Sequence, residues 1–313
     1  MYLTDAQFID IYSTVPRVCV DVILTTSDGR VVLQKRDILP DAGRWAVTGG
    51  TYYRDESLFS AAQRIAQQDL NLKVIPQKIL GPIEFRNEAA SMIKHRHSVA
   101  IAIHCTADDD AALQQLLQTN PNLQAFEHLP NHMSMEHQQA LHNYLNLWIE
   151  GEPVIKQIDE SSITRQSRMP LERFKQIYSQ VPRLVVELFI TRQSEQGTET
   201  LLTLRNIEPI KGYWHVPGGT VMKGMTLEEA VQHVANHELG TSVTDIKYAG
   251  VLEYPWYSTQ PSVCDLPIGI AYQCSIIDSH IRLNYQGSHF QWFATPPDPV
   301  IPEHRDFIKS QGW

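Results

Sequence analysis

Two Gly-Gly pairs, Gly49-Gly50 and Gly218-Gly219, each lead through a short loop into an amphipathic stretch with one acid near its end. That acid is Asp69 in SLFSAAQRIAQQDL and Glu238 in TLEEAVQHVANHEL. An acid in the last turn of a helix opposes the helix dipole, so its presence at both places calls for a compensating partner. His233 and His237 lie four apart on one helix face, beside Glu238. That spacing can hold Zn²⁺, Ni²⁺ or Cu²⁺ through imidazole, although in a chain with 13 His such a pair also arises by chance. Tyr254, Trp256 and Tyr257 form an aromatic run able to stack on a nucleotide base. The corresponding place earlier in the chain holds Lys94, His95, Arg96 and His97, either a basic cluster that attracts phosphates or a solvated loop. Trp45 and Trp214 precede the Gly-Gly pairs and read as packing residues.

The elements that must position these residues occur twice. FIDIYSTVPR from Phe8 returns as FKQIYSQVPR from Phe174, and GRWAVTGG from Gly43 as GYWHVPGG from Gly212. Gly81-Pro82-Ile83-Glu84-Phe85 returns as Gly250-Val251-Leu252-Glu253-Tyr254, and Glu136-His137 as Glu303-His304. A fixed-distance self-similarity of this kind marks two copies of one domain. Each copy opens with a short amphipathic helix, which Thr4 and Gln7 cap reciprocally in the first copy and Pro170 starts from a first-turn position in the second. An apolar strand follows, VCVDVILTT or LVVELFITR. A hairpin then turns through Asp28-Gly29 or a longer Ser194–Thr198 loop into VVLQKR or LLTLRN. The helix after the Gly-Gly pair comes next, then further strands and a polar C-terminal helix. The reading predicts domains at 1–150 and 170–313, joined by a linker over 151–169.

Composition sets the limits. A chain of 313 residues with 42% hydrophobic and 19% charged residues can bury a sizeable core. Its net charge of −9 argues against general nucleic-acid binding, which needs a basic surface. Cys19, Cys105, Cys264 and Cys274 show no C-x-x-C pairing, and the first, second and fourth sit in strand-like apolar runs as core residues. The first residues lack a basic start and an apolar signal segment, and no run reaches membrane-spanning length, so a soluble cytoplasmic protein is expected.

The Gly-Gly, loop and helix arrangement resembles the Nudix hydrolase superfamily, whose helix gathers carboxylates at i, i+3 and i+4 to hold Mg²⁺ or Mn²⁺. Both copies depart from that pattern. The first keeps Gly50, Glu56 and Arg64, but its three carboxylate positions read Ile65, Gln68 and Asp69, with Asn71 for the final Gly. The second keeps Gly219 and Gly240, has Met225 and His233 for the usual Glu and Arg, and reads Val234, His237 and Glu238. This decay, with Asp21, Lys35-Arg36, Gly43-Arg44-Trp45 and the run Val216–Val231, is similar to GDP-mannose mannosyl hydrolases. The resemblance implies one Mg²⁺ (or Mn²⁺) held by the carbonyl of Gly218, by Glu238 and by Gln286. The first copy offers Gly49 and Asp69 as second choice, with Thr119, beside Gln118, where the Gln should be. It further implies Arg36 and Arg205 as contacts to the diphosphate, against the alternative of surface strand arginines. Asp21 and Glu187 match the strand acid. The arginine expected after each Gly-Gly pair is Thr51 or Thr220, and the general-base histidine expected after Gln286 is Gly287. His289 lies two residues on.

The fold class read from all this is α/β, an α+β mixed-sheet sandwich repeated as two tandem Nudix-type domains. The leading function is Mg²⁺-dependent hydrolysis of a nucleotide sugar by the second copy, with Arg205 and His289 catalytic and with Arg36, Asp21, Glu187 and Tyr254 binding substrate. The alternatives are pyrophosphate cleavage of a nucleoside diphosphate derivative, or a catalytically silent sensor. The expected partner is a small-molecule nucleotide or nucleotide sugar, with a homodimer as a further candidate and neither nucleic acid nor membrane.

Overall fold

Thr4 starts α1 (Asp5–Tyr12) by the reciprocal cap read from its spacing: its Oγ1 accepts from the Gln7 N–H at 3.3 Å, and Gln7 Oε1 accepts from the Thr4 N–H at 2.9 Å. The computed structural model describes residues 3–38, 41–89, 94–150, 169–195, 197–260, 265–278 and 280–313, with the side chains of 87–89 and 94–96 outside that description. Cys264 and all but the last residue of the expected linker lie outside the described residues. Contacts divide the chain into two units, Met1–Gln166 and Ser167–Trp313.

In the first unit β1 (Arg17–Thr25) is buried along its whole interior, the signature of a central strand covered on both faces. Gly29, at φ 86°, turns the chain into β2 (Val31–Lys35), as Asp28-Gly29 indicated. β3 (Trp45–Ala46), β4 (Thr48–Thr51), α2 (Leu58–Leu70), β5 (Val74–Ala89), β6 (Lys94–Ala107), α3 (Asp110–Thr119), β7 (Leu123–Phe126) and α4 (Met135–Leu145) follow. The sheet runs β3-β2-β1-β6-β5, with β4 also on β1 and β7 on β2. Because β1 and β6 pair in parallel and the rest antiparallel, the sheet is mixed. α2 buries Leu58, Ala61, Ala62, Ile65, Ala66 and Leu70, an i, i+3, i+4 stripe. Each large aliphatic side chain in it contributes about 1.5–3 kcal/mol. Trp45 packs edge-on against Phe126 at 5.0 Å, as a packing residue should.

The second unit repeats the plan: α5 (Leu171–Tyr178), β8 (Arg183–Ser194), β9 (Gly197–Arg205), β10 (Trp214–His215), β11 (Gly218–Thr220), α6 (Leu227–Val234), a π turn (Ala235–Leu239), β12 (Val243–Glu253), β13 (Pro267–Ile276), β14 (Gly287–Phe293) and α7 (Pro302–Gln311). Its sheet order is β10-β9-β8-β13-β12, with β11 on β8 and β14 on β9. Cys19, Cys105 and Cys274 are buried free thiols.

Two details differ from the sequence reading. The extra residues of the second hairpin lengthen its strands rather than its loop, since Ser194 pairs with Gly197 and only positions 195 and 196 lie between. Pro170 occupies the N-cap of α5, one place before the first turn. The two units also differ from each other: the stretch 280–286 forms no helix, whereas its counterpart in the first unit is α3.

Candidate active site around Gly218

Each Gly-Gly pair is shaped by what lies on its two faces. Gly49 pairs with Asp21 and Gly218 with Glu187. A Cβ on Gly49 would lie 2.0 Å from Asp21 Oδ1, and one on Gly218 would lie 2.1 Å from Glu187 Oε2. The next residue faces the other way: a Cβ on Gly50 would lie 3.1 Å from Ile65, and one on Gly219 would lie 2.8 Å from Val234. The first glycine of each pair thus admits the strand carboxylate, and the second seats the Nudix-type helix. Ile65 and Val234, at positions where the resemblance implied acids, supply the apolar contact.

Leu188 N–H donates to Pro217 O and Val221 N–H to Leu184 O. The antiparallel ladder alternates, so Gly218 and Glu187 form a non-hydrogen-bonded pair and both polar groups of Gly218 point away from β8. On that edge the Gly218 N–H donates to Glu238 Oε2 at 3.4 Å. Glu238 lies in the π turn, a widened turn of the kind often found at functional sites. Burial raises its carboxyl to about 7, against the lowering effects of the Gly218 hydrogen bond and of Arg205. In the first unit α2 stays α-helical to its end, and Asp69, one methylene shorter, is exposed.

A hydrogen-bonded chain fixes Glu187 from the other side. Val216 N–H donates to His304 Nδ1 at 3.2 Å, which leaves the proton of the neutral imidazole on Nε2. That nitrogen lies 3.2 Å from the Tyr254 hydroxyl and 3.8 Å from Glu187 Oε2. Tyr254 donates to Glu187 Oε1 at 2.7 Å. Burial drives His304 well below its ordinary value, so it stays neutral. Burial also pushes Glu187 up to about 8, opposed by the Tyr254 hydrogen bond and Arg183 and assisted by Glu238. In the first unit His137 Nε2 meets Asp21 Oδ2 directly at 3.1 Å, and Phe85 stands where Tyr254 stands in the second. The paired Glu136-His137 and Glu303-His304 were visible as a repeat, but not as the partners of the strand acids.

The remaining sequence-read residues divide between this cluster and other places. Arg205 Nε donates to Pro209 O at 2.5 Å, and Arg205 lies near enough to Glu187 and Glu238 to lower both. Arg36 directly follows the equivalent strand of the first unit, β2; its Nε is buried without a hydrogen-bond partner among the described residues. Gln286 is half-buried where the chain passes the end of the π turn: Asn284 N–H donates to Glu238 O at 3.3 Å, and Asn206 N–H to Gln286 O at 2.8 Å. Thr119, its counterpart, ends α3 with its hydroxyl bonded back to Gln115 O at 2.9 Å. His289 is exposed, pairs with Leu204 and packs its ring on Trp214 at 5.9 Å. Leu204 and Arg205 project from opposite faces of β9, so His289 and Arg205 do not share a face. Tyr254 requires correction as a base-stacking residue: it is 6% exposed, and its ring packs against Tyr257 and His304. The His233 and His237 rings lie parallel at 5.8 Å, with the Asn284 amide 3.0 Å from His237 Nδ1. Of the basic cluster, His97 is buried and the side chains of Lys94, His95 and Arg96 lie outside the described residues.

The NUDIX domain profile matches residues 15–145 and 181–277, together more than half of the chain. The chain belongs to the Nudix family. Agl8 of Haloferax volcanii, a low-salt glycan biosynthesis protein, is 32% identical over 138 residues, 44% of this chain and 86% of that protein. A MutT Nudix hydrolase from Burkholderia pseudomallei is 21% identical with a TM-score of 0.36, over 41% of this chain and 96% of the other. The MutT protein from Methanosarcina mazei Go1 is 25% identical with a TM-score of 0.34, over 41% and 92% of the two chains.

Nudix hydrolases generally use divalent metals. Among the described residues no group of three or more His, Cys, Asp or Glu side chains forms a metal cluster. The donors at Gly218 are instead the buried Glu187, the half-buried Glu238 and an outward-facing backbone edge. Oxygen donors of this kind fit a hard cation such as Mg²⁺, whose charge would favour the ionised form of both acids against the burial that raises them. No described helix is long and apolar enough to cross a membrane.

Proposed function

We propose that this Nudix protein hydrolyses a nucleotide sugar at the Gly218 site with one divalent cation, Mg²⁺ or Mn²⁺, releasing nucleoside diphosphate and sugar. The observation that carries this reading is the meeting of half-buried Glu238 and buried Glu187 at Gly218, while Asp69 in the first unit is exposed. The Gly218 carbonyl, Glu238 and Gln286 would hold the cation, which when bound would stabilise charge developing on the leaving diphosphate. Arg205, steadied through its Nε by the Pro209 carbonyl, adds a guanidinium for phosphate oxygens. The likeness to a glycan biosynthesis protein supports a sugar-bearing nucleotide, because glycan assembly draws on sugars activated in that form.

The test incubates the full chain with Mg²⁺ or Mn²⁺ and a panel of nucleotide sugars, with Glu238→Gln alongside. Nucleoside diphosphate plus sugar, lost in the variant, is the expected result. Nucleoside monophosphate plus sugar phosphate would replace this reading with pyrophosphate cleavage. One observation favours a second reading, a silent sensor: position 287 is Gly, and His289 packs on Trp214. Saturable binding without turnover would establish it.

A further inference from the structure

The strand acid differs between the units by more than its own length. Where the first unit has Asp21, Phe85 and Ala100, the second has Glu187, Tyr254 and Gly269. These differences fit together. The longer acid reaches the tyrosine hydroxyl, and the glycine clears the space: a Cβ on Gly269 would lie 3.1 Å from both Glu187 Cγ and Tyr254 Oη. The hydroxyl in turn is anchored by His304, whose other nitrogen is occupied by the Val216 N–H, two residues before Gly218. One Glu187 oxygen, Oε1, is therefore bound to Tyr254, and Oε2 is left over Gly218.

We propose that Tyr254 and His304 are positioning residues that hold Glu187 so that its Oε2 completes the oxygen shell of a divalent cation at Gly218 and Glu238. The inference rests on the cation site of the proposed function and adds an acid to it. An oxygen that is 2.1 Å from the place of an absent Cβ has been brought to the backbone as closely as a glycine permits. A carboxylate fixed by a buried hydroxyl is pre-oriented for a metal, in the manner of outer-shell partners whose loss weakens affinity about 10- to 100-fold. Tyr254 is suited to test this because Phe85 shows that the fold accommodates phenylalanine at its position.

The experiment is calorimetric titration of Mn²⁺ into the metal-free full chain, without substrate, for wild type, Glu238→Gln, Tyr254→Phe, His304→Gln and the Tyr254→Phe/His304→Gln double variant. The thermal midpoint of each metal-free protein is measured in parallel. Wild type should bind, and Glu238→Gln should lose most of that affinity. Tyr254→Phe should weaken binding about tenfold or more, and the double variant should be little worse than the poorer single, because the two residues act through one chain. A purely structural role would move the thermal midpoint and leave the Mn²⁺ constant of the folded protein in place, and that result overturns the proposal. Glu238→Gln weakening binding while Tyr254→Phe does not would overturn the positioning role and leave the cation site standing. Absence of Mn²⁺ binding in wild type, or binding indifferent to Glu238→Gln, removes the cation site and this proposal with it.

Discussion

The two units build the same corner from the same parts: a glycine facing a strand acid, and a histidine from the last helix facing that acid. In the first unit the histidine meets the acid directly, and its Nδ1 is buried without a partner among the described residues. In the second a tyrosine joins the pair, and the same nitrogen accepts the Val216 N–H. A buried polar atom without a partner costs about 1–3 kcal/mol, so the first corner is the less complete network. The helix that follows diverges in the same direction, since Asp69 is exposed and Glu238 turns inward to Gly218. The difference teaches that a shared scaffold does not make a shared site. One methylene in each of two acids, one hydroxyl and one widened turn separate a corner that can concentrate carboxylates from one that cannot.

The sharpest way to break this comparison is to neutralise the two helix acids separately. Glu238→Gln should lower nucleotide-sugar turnover by roughly 10²-fold or more, the usual scale for losing one electrostatic contributor, and Asp69→Asn should leave it unchanged. Equal loss in both variants would mean that both corners work. Next come the glycines. Gly218→Ala and Gly49→Ala each place a methyl against a carboxylate and should cost about 1–3 kcal/mol in chemical unfolding; of the two, only Gly218→Ala should also weaken Mn²⁺ binding.

A pH effect of similar or smaller size should separate the units further. Glu187 and Glu238 are raised by burial to about 8 and about 7, so above their unfolded values of about 4.3 the folded chain holds protons that the unfolded chain releases. Stability therefore falls as pH rises through that range. Buried His215 and His304, both lowered by burial, act oppositely below about 6.5, where the unfolded chain gains protons that the folded chain does not. The two trends offset each other below about pH 6.5, leaving a loss on the order of 2 kcal/mol between about pH 6.5 and 8. Thermal midpoints of the metal-free full chain should show it, and Glu187→Gln should reduce it. A wild-type midpoint that is flat over that interval contradicts the assignment. The smallest effect on cation binding is expected from Phe85→Tyr. With Ala100 where Gly269 clears the space in the second unit, the added hydroxyl should cost about 1–3 kcal/mol, and it should confer no cation binding on the first unit, because Asp69 stays exposed.

Much of the scaffold was legible in the sequence because it depends on local rules. The Thr4–Gln7 cap, the Asp28-Gly29 turn and the apolar stripe of α2 are each set by residues a few positions apart. The site was legible only in part. Glu238 and Gly218 stood out through the resemblance, but neither the inward turn of Glu238 nor its bond to Gly218 follows from spacing, because the widened turn has the same length as its α-helical counterpart. Tyr254 was read as a stacking residue because an aromatic run looks alike whether it faces solvent or a buried carboxylate. His304 went unassigned because its partner Glu187 is more than a hundred positions away, a separation at which residue patterns carry no contact information. The second hairpin shows the opposite error, where polar residues taken for loop are strand.

The contact between Val234 and Gly219 bears on how such a helix changes over evolutionary time. Where the family places an acid, this chain has an aliphatic side chain that occupies the hollow of a glycine and is itself 3% exposed, and Ile65 does the same over Gly50. Restoring the acid at either place would put a charge into a closed apolar seam, at a cost far above that of an ordinary surface change. The seam thus behaves as a ratchet: with Val234 closed over Gly219, a single substitution to an acid there is opposed by the packing itself. Chemistry at this corner is then left to the acid at the helix end and to residues of other elements, such as Glu187 on β8.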